Sequence, residues 1–480
     1  MEISPEVVEA SKYFAAENRA ALDDPRSRLI VGDGRSHVQL SSRTYDVIIT
    51  EPSNPWMAGV ASLFTREFFT ALRRRLAPGG IVCQWTHTYE MTDANLRSVV
   101  ATFLSVFPDA TGWLIGQSDL LLVASTQSLD SNFKNLERGW TNSRVAADLA
   151  TVSAVEPFAF WSLFASGPQA LKSYASGAVL QNDNRMALEF SGPLALNLQT
   201  AAENASRILD RGDPISAPPQ VRHALATAGA AQWRNRGTMM SGTEDYTTAY
   251  HDYLKTLELD PVDGAALTGL VQTAAAAQRT MEALEWLNAS MQQHPRASSI
   301  RVATSKLLAG IGAFDRAIAV AGEASSLTPG DATPVKELAS IFSDLRDARR
   351  LGEAVRRLQD IQPDATETNY YAAVSKFLDG HLEEALPLAR KAVSADPKYV
   401  AAQTLIGTIY GTLQRGEEAR AAFQAALQLD PRNSTAYVNL GLLELAAGNR
   451  TSAAAYLVEA LLLDPGSAAA RAGLAQTRGE

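Results

Sequence analysis

The sequence predicts an α/β domain at the N-terminal end and an all-α region at the C-terminal end. Residues 1–125 alternate short apolar runs, typical of buried parallel strands, with helical stretches. Residues 230–480 carry a proline every 34 residues, which indicates a repeated pair of helices. Residues 126–229 between them are predicted to be mostly helical and to end in a Pro-rich linker at 213–220.

The α/β domain begins with a helix start signal. Ser4 is suited to the N-cap and Pro5 to the first helical position. Parallel strands are predicted over 29–31, 47–50 and 81–85, and crossover helices over 65–76 and 92–107, the former closed by the Pro-Gly-Gly at 78–80. Two further runs, 113–115 and 120–124, predict an antiparallel hairpin, and 182–190 a possible edge strand. Together these elements predict a doubly wound sheet that lacks its first strand and helix.

The C-terminal half has the 34-residue period of tetratricopeptide repeats. Its registered prolines are Pro261, Pro295, Pro329, Pro363, Pro397, Pro431 and Pro465. Counting each proline as position 32, seven units begin at 230, 264, 298, 332, 366, 400 and 434. Position 20 is then alanine in every unit except one, where it is Leu351, and position 8 is glycine in three units. Small residues there let two helices approach closely. The segment after Pro465 predicts a capping helix.

Composition narrows the class of protein. With 46% hydrophobic and 20% charged residues, the chain resembles ordinary globular protein, and none of its apolar runs reaches the length of a membrane span. A net charge of −9 disfavours nucleic-acid binding. The single cysteine, Cys83, excludes a disulfide framework, and the six scattered histidines do not have metal-ligand spacing. We therefore expect no metal and a cytoplasmic location.

Acidic residues follow the predicted strands. Glu2 ends a strand stub, Asp33 lies in a Gly-Asp-Gly turn after the 29–31 run, and Glu51 follows the 47–50 run. Because open α/β sheets bind ligands at the C-terminal ends of their parallel strands, these carboxylates predict a ligand site at one edge.

Four segments resemble, in order and spacing, bacterial spermidine synthase-like proteins of the polyamine aminopropyltransferase family. They are EISPEVVEASKYF, DPRSRLIVGDGR, YDVIITEPSNPWMAGVASLFTREFF and LAPGGIVCQW. The resemblance implies a class I methyltransferase-like, Rossmann-like fold. It also implies decarboxylated S-adenosylmethionine, or S-adenosylmethionine, as a co-substrate that is not tightly bound, and a polyamine-type amine as acceptor.

The resemblance also implies residue roles. Glu2 would hold the ribose hydroxyls and Asp33 would lie beside the adenine amino group, with Gly34 allowing close approach of the ligand. Glu51 would be the base that deprotonates the amine, and Pro55 would stiffen the loop after it. The family has aspartate at both reacting positions. Here they are Glu51 and Asn54, and Asn54 lacks the charge that attracts a cationic amine.

Three alternatives remain open from the sequence. The repeats favour a non-catalytic scaffold that holds a protein or peptide in its groove and carries a remnant nucleotide-binding domain. The same fold also suits an S-adenosylmethionine-dependent methyltransferase. Finally, the expected glycine-rich loop, and membrane helices that would make the protein membrane-associated, could lie upstream of Met1.

Overall fold

A computed structural model describes residues 1–52, 57, 59–209 and 217–478. The chain divides into two compact units, Met1–Ala277 and Gln278–Glu480. The first unit contains a β-sheet, the helices around it and the first three helices of the repeat region. The second unit contains the remaining helices of the repeats.

A five-stranded mixed sheet organises the first unit, in the order β1-β2-β4-β3-β5. β1 and β2 run parallel, with Thr50 opposite Gln84, and the other neighbouring strands run antiparallel. The strands are β1 (Tyr45–Thr50), β2 (Leu76–His87), β3 (Thr111–Ile115), β4 (Asp119–Ser125) and β5 (Phe164–Ser166).

The helices around the sheet are short. They are α1 (Pro5–Ala10), α2 (Gly34–Leu40), α3 (Arg66–Arg75), α4 (Asp93–Leu104), α5 (Asp130–Leu136), α6 (Ser143–Ala150), α7 (Pro157–Trp161), α8 (Pro168–Tyr174), α9 (Ala187–Ser191), α10 (Ala201–Leu209) and α11 (Pro219–Thr227). Ser4, Thr65 and Thr92 cap α1, α3 and α4, because each side chain accepts a backbone N–H of the first turn.

Helices cover both faces of the sheet. On one face, Val82 of β2 and Leu122 of β4 are fully buried in one cluster with Phe69 and Phe103 of α3 and α4. On the other face, Trp113 of β3 lies in a second buried cluster. The α/β class predicted from the sequence is therefore confirmed, and each large side chain buried this way contributes about 1.5–3 kcal/mol.

Several predicted elements differ from the structure. Residues 29–31 form a single bridge between Val31 and Glu2 instead of a strand. Residues 182–190 form a turn bridge followed by α9, so the edge strand predicted there is wrong, and β5 occupies the edge. Helix α3 ends at Arg75, and the Pro-Gly-Gly segment lies inside β2.

β1 is less buried than its apolar sequence predicts. Val47 is 56% exposed and Ile49 is 72% exposed. The reason is topological, since β1 is the outermost strand of the described sheet. The apolar residues Tyr13 and Phe14, which follow α1, are also exposed.

The repeat helices begin at the predicted positions. In the first unit they are α12 (Ala230–Gly242), α13 (Tyr246–Leu259) and α14 (Gly264–Ala276). In the second they are α15 (Thr280–Gln293), α16 (Ser298–Gly310), α17 (Phe314–Leu327), α18 (Ala332–Asp344), α19 (Ala348–Ile361), α20 (Thr366–Leu378), α21 (Leu382–Ala395), α22 (Val400–Thr412), α23 (Gly416–Leu429), α24 (Ser434–Ala446), α25 (Arg450–Leu463) and α26 (Ala468–Arg478). Seven of these helices start 34 residues apart, each at the predicted first residue of a repeat.

The small residues of the repeat have a packing reason. Every residue at position 20, including Leu351, is fully buried. Glycine at position 8 faces a large side chain at position 24 of the same unit: Gly237 faces Tyr253, Gly407 faces Phe423 and Gly441 faces Leu457. A methyl group at any of these glycines would lie within 3.0 Å of that side chain.

Candidate active site at the sheet edge

Glu2 is held beside the Gly-Asp-Gly turn by backbone hydrogen bonds. Its N–H donates to the Ile30 carbonyl at 3.2 Å, and the Gly32 N–H donates to the Glu2 carbonyl at 2.8 Å. The carboxylate accepts the Ser4 N–H through Oε1 at 2.9 Å. Since a carboxylate offers about four acceptor sites, it retains capacity for a diol.

Asp33 is the N-cap of α2. Its Oδ1 accepts the Arg35 N–H at 3.1 Å, while Oδ2 accepts the Ser36 N–H at 3.0 Å and the Ser36 hydroxyl at 2.5 Å. The bond from the Ser36 side chain is the main reason that the pKa of Asp33 is lowered. Asp33 therefore has a structural task that the sequence analysis did not assign to it, and one of its oxygens keeps acceptor capacity.

An open cavity of about 560 Å³ lies beside this turn. It is lined by Ile30, Gly32, Asp33 and His37, among others. Gly32 has φ of +153°, a conformation that favours glycine, whereas Gly34 is simply the first residue of α2. The mixed lining, an apolar side chain beside a carboxylate, suits a heteroaromatic ring that donates a hydrogen bond. The described residues thus fit an adenine-bearing co-substrate.

Arg35 ties this turn to two distant segments. Its guanidinium donates to the Ser62 carbonyl at 2.6 Å and to Asp183 Oδ2 at 2.5 Å. Thr65 donates to Asp183 Oδ1 at 2.9 Å. Burial acts to raise the pKa of Asp183, but the hydrogen bonds from Arg35 and Thr65 outweigh it, and the pKa is lowered. These contacts, which the sequence analysis missed, fix α2 against the N-terminus of α3.

Glu51 directly follows β1 and is exposed. The parallel partner of Ile49 on β2 is Cys83. Burial raises the pKa of the Cys83 thiol to about 11, and the negative charge of Glu51 adds to the effect. The carboxylate therefore lies close enough to the β1–β2 pair for its charge to act on Cys83.

Polar and aromatic side chains gather where β2 ends. The Trp85 indole donates to Asp119 at 2.8 Å, and the ring of His87 stacks on that of Tyr89 with centroids 4.7 Å apart. Burial lowers the pKa of His87, which favours the neutral ring at pH 7. Gln84 is fully buried on the opposite face of β2 and donates to the Trp85 carbonyl at 2.9 Å. The sequence analysis did not identify Gln84 or His87 as members of this cluster.

The structure brings some of the predicted site residues close together and leaves others apart. The bridge to Val31 places Glu2 and the Asp33 turn side by side, whereas Glu51 is positioned separately by the β1–β2 pair. Asn54 and Pro55 lie outside the described residues.

None of the groups of three or more His, Cys, Asp or Glu side chains within the described ranges is arranged to hold a metal ion. Within the same ranges, helices that combine the length and apolar character needed to cross a membrane are absent.

Two family models match parts of the chain. Residues 1–115 match the family model of the spermine/spermidine synthase domain, and residues 404–468 match a tetratricopeptide repeat model. The chain therefore carries a spermidine synthase-like domain at its N-terminal end and tetratricopeptide repeats towards its C-terminal end.

Curated relatives cover the N-terminal part. A spermidine synthase of Dictyostelium discoideum is 38% identical over 18% of this chain and 32% of its own length. Spermidine synthase 1 of Datura stramonium is 32% identical over 28% of this chain and 46% of its own length. Putrescine N-methyltransferase 2 of Nicotiana tabacum is 29% identical over 28% of this chain and 40% of its own length. The chain thus spans less than half the length of each of these three relatives.

Solved structures of repeat proteins are also similar to this chain. A tetratricopeptide repeat protein from Parabacteroides merdae is 14% identical, with a TM-score of 0.43, and the match covers 52% of this chain and 98% of that one. A repeat protein of Thermus thermophilus is 21% identical, with a TM-score of 0.36, over 38% of this chain and 100% of that one.

Proposed function

We propose that the N-terminal domain transfers an aminopropyl group from decarboxylated S-adenosylmethionine to an amine. The observation that carries this proposal is the match of residues 1–115 to the spermine/spermidine synthase domain. The position of Glu51 at the end of a parallel strand supports it, because ligands of open α/β sheets bind there.

In this reaction the amine nitrogen attacks the carbon next to the positively charged sulfur. A new C–N bond forms, the C–S bond breaks, and its electron pair stays on sulfur as the neutral thioether methylthioadenosine. The amine must first lose a proton to become a nucleophile, and Glu51 would accept it. An exposed carboxylate beside the β1–β2 pair can take this role without a large conformational change.

The co-substrate would lie along the Glu2 and Asp33 turn. Glu2 would accept hydrogen bonds from the ribose hydroxyls, and Asp33 Oδ1 would accept one from the adenine amino group. Gly34, at the start of α2, would let the ligand approach closely, and Pro55 would stiffen the loop after Glu51. Asn54 would offer an amide to the acceptor in place of a charge, so we expect weak attraction of a dication and slow turnover.

A direct assay tests this function. The full chain is incubated with decarboxylated S-adenosylmethionine and 1,4-diaminobutane, and methylthioadenosine is quantified by chromatography. We expect methylthioadenosine to form in proportion to enzyme, and formation to be lost in Glu51→Gln. The absence of product, together with no calorimetric binding of methylthioadenosine at millimolar concentration, would rule out the catalytic proposal.

Methyl transfer from S-adenosylmethionine to an amine is a second candidate reaction, and a similar assay tests it. Putrescine N-methyltransferases are among the similar proteins, and methyl transfer also moves a carbon from a sulfonium to an amine. Supplying S-adenosylmethionine and measuring S-adenosylhomocysteine distinguishes the two, since only a methyltransferase would release it.

We further propose that the repeats hold a protein or peptide partner. The repeat match at 404–468 and the seven registered helices support this role, because stacked repeats present an extended surface. Pull-downs with the full chain and with residues 230–480 test it. If the partners bind only the full chain, the repeats alone are not the binding surface.

A further inference from the structure

The first repeat contacts the sheet through two turns. The turn between β3 and β4 contains Gly116 and Gln117, and the turn between α12 and α13 contains Asp245. Gln117 Nε2 donates to Asp245 Oδ1 at 3.3 Å. A Cβ at Gly116, where φ is +60°, would lie 3.6 Å from the Asp245 Cβ and 3.9 Å from its Oδ2. The two turns are therefore packed in direct contact.

A cavity opens on each side of this contact. One, of about 220 Å³, has a mixed lining in which Leu114, Phe164 and Met240 supply apolar surface. The other, of about 290 Å³, is lined by three carboxylates, those of Asp119, Glu244 and Asp245. Gly116, Gln117 and Asp245 line both cavities, so Asp245 has apolar side chains on one side and two further carboxylates on the other.

Asp245 is a buried carboxylate with an unused oxygen. It is 8% exposed, and its Oδ1 accepts the Thr248 N–H at 3.1 Å as the N-cap of α13. Its Oδ2 has no hydrogen-bond partner among the residues that the structure describes. Leaving a buried charged oxygen unpaired is costly, and a donor supplied by a ligand would remove that cost.

The surrounding charge is negative. Arg236 also lines the cavity of about 220 Å³, but it is paired with the buried Asp252, its Nη1 donating to Oδ1 at 2.8 Å. One arginine thus faces two buried carboxylates, those of Asp252 and Asp245. Burial raises the pKa of Asp252 to about 7, and although Arg236 opposes this, the nearby charge of Asp245 adds to it. The site as a whole would be stabilised by one more positive charge.

We propose that this cleft binds the ammonium group of a small aliphatic amine. The ammonium donates to Asp245 Oδ2, and the carbon chain lies against Leu114, Phe164 and Met240. An anion would meet an excess of negative charge, and a neutral alcohol would leave that charge uncompensated. The cleft lies at the turn between β3 and β4, whereas Glu51 follows β1 and Asp33 caps α2. Occupancy would fasten the first repeat to the sheet.

The repeat supplies a matched control for the test. Asp347 occupies the same repeat position as Asp245, three units later, and likewise caps its helix by accepting a backbone N–H. Its carboxylate is paired with Arg350 at 2.6 Å. Asp347→Asn therefore makes the same chemical change at the same kind of cap, without touching the cleft.

Calorimetry of the full-length Glu51→Gln protein with 1,4-diaminobutane measures binding without a contribution from the proposed base. We expect binding that is at least about tenfold weaker after Asp245→Asn and unchanged after Asp347→Asn, since a tenfold change corresponds to about 1.4 kcal/mol. The neutral analogue 1,4-butanediol should not bind.

Circular dichroism establishes that each variant is folded. Equal affinity in Asp245→Asn and its control, or equal affinity for the diol, would overturn the proposal. So would the absence of binding in the Glu51→Gln protein when the protein with Glu51 binds the amine, because the amine would then bind only at the sheet edge. None of these outcomes depends on whether methylthioadenosine is formed.

Discussion

Gly407 lies so close to Phe423 that a methyl group on it would be 2.6 Å from a ring carbon. The two residues stand at positions 8 and 24 of one repeat, on α22 and α23. We expect Gly407→Ala to destabilise the second unit by about 1–3 kcal/mol through overpacking. Chemical denaturation measures this loss.

Gly411 on the same helix is the matched control. A Cβ there would meet nothing within 4 Å. Gly411→Ala should therefore be neutral or stabilising by up to about 1 kcal/mol, because alanine restricts the unfolded chain. Equal effects at the two glycines would contradict the role assigned to Phe423.

Replacement of Glu51 tests the proposed base. Glu51→Gln keeps the shape of the side chain but cannot accept a proton, and we expect transfer to slow by at least about 100-fold. Because Glu51 is exposed, the melting temperature should not change. Asp46→Asn, at the opposite end of β1 and also exposed, should leave the rate unaltered. Unchanged turnover in Glu51→Gln would remove Glu51 from the mechanism.

Two replacements of Asp33 separate its structural and binding tasks. Asn is as good an N-cap as Asp, so Asp33→Asn should keep α2 formed, losing only the contribution of the charge, and should weaken the binding of methylthioadenosine. Asp33→Ala should cost about 1 kcal/mol of local stability as well. Hydrogen exchange over residues 34–40 and calorimetry report the two effects. Loss of α2 protection in Asp33→Asn would show that the charge itself holds the helix.

The lowered pKa of Asp33 predicts that α2 becomes less stable in acid. The pKa of Asp33 is lower in the folded protein than in the unfolded chain, chiefly because of Ser36. Its stabilising contribution is therefore complete above the ordinary aspartate pKa, about 3.9, and is lost as the pH falls through the lower folded value.

Cys83 reports on the charge of Glu51. It is the only cysteine, so alkylation by iodoacetamide is specific to one site. With a pKa of about 11, its reaction at pH 8 should be slow and should quicken with each rise in pH, since the thiolate is the nucleophile. Glu51→Gln should lower this pKa and speed the reaction. An identical pH profile in both proteins would place the carboxylate away from Cys83.

Local patterns predicted much of this fold. The 34-residue period predicted the first residue of seven helices, because each repeat packs against its neighbours in the same way. The predicted N-cap Ser4 is confirmed, because capping depends on chemistry within one helical turn. Such features depend on residues close together in the chain.

The failures share a cause, which is dependence on distant partners. The exposure of Val47 follows from the place of β1 in the sheet order, and periodicity does not reveal that order. Asp183 accepts a hydrogen bond from Arg35, which lies 148 residues earlier in the chain. Local periodicity does not reveal such a partner, and it therefore predicts a strand over 182–190 instead of a turn. In the candidate site, the acidic residues are visible in the sequence. The capping role of Asp33 is the exception to this cause, because its partners Arg35 and Ser36 are local and the sequence analysis did not assign it.

The exposed position of β1, the outermost strand of the described sheet, affects how the protein behaves at high concentration. β1 presents Val47 and Ile49 to solvent, and an exposed apolar strand at a sheet margin is a template on which other chains pair. Concentrated samples are therefore expected to aggregate through this strand. A lysine in place of Ile49 is the simplest change that would keep preparations monodisperse for crystallisation.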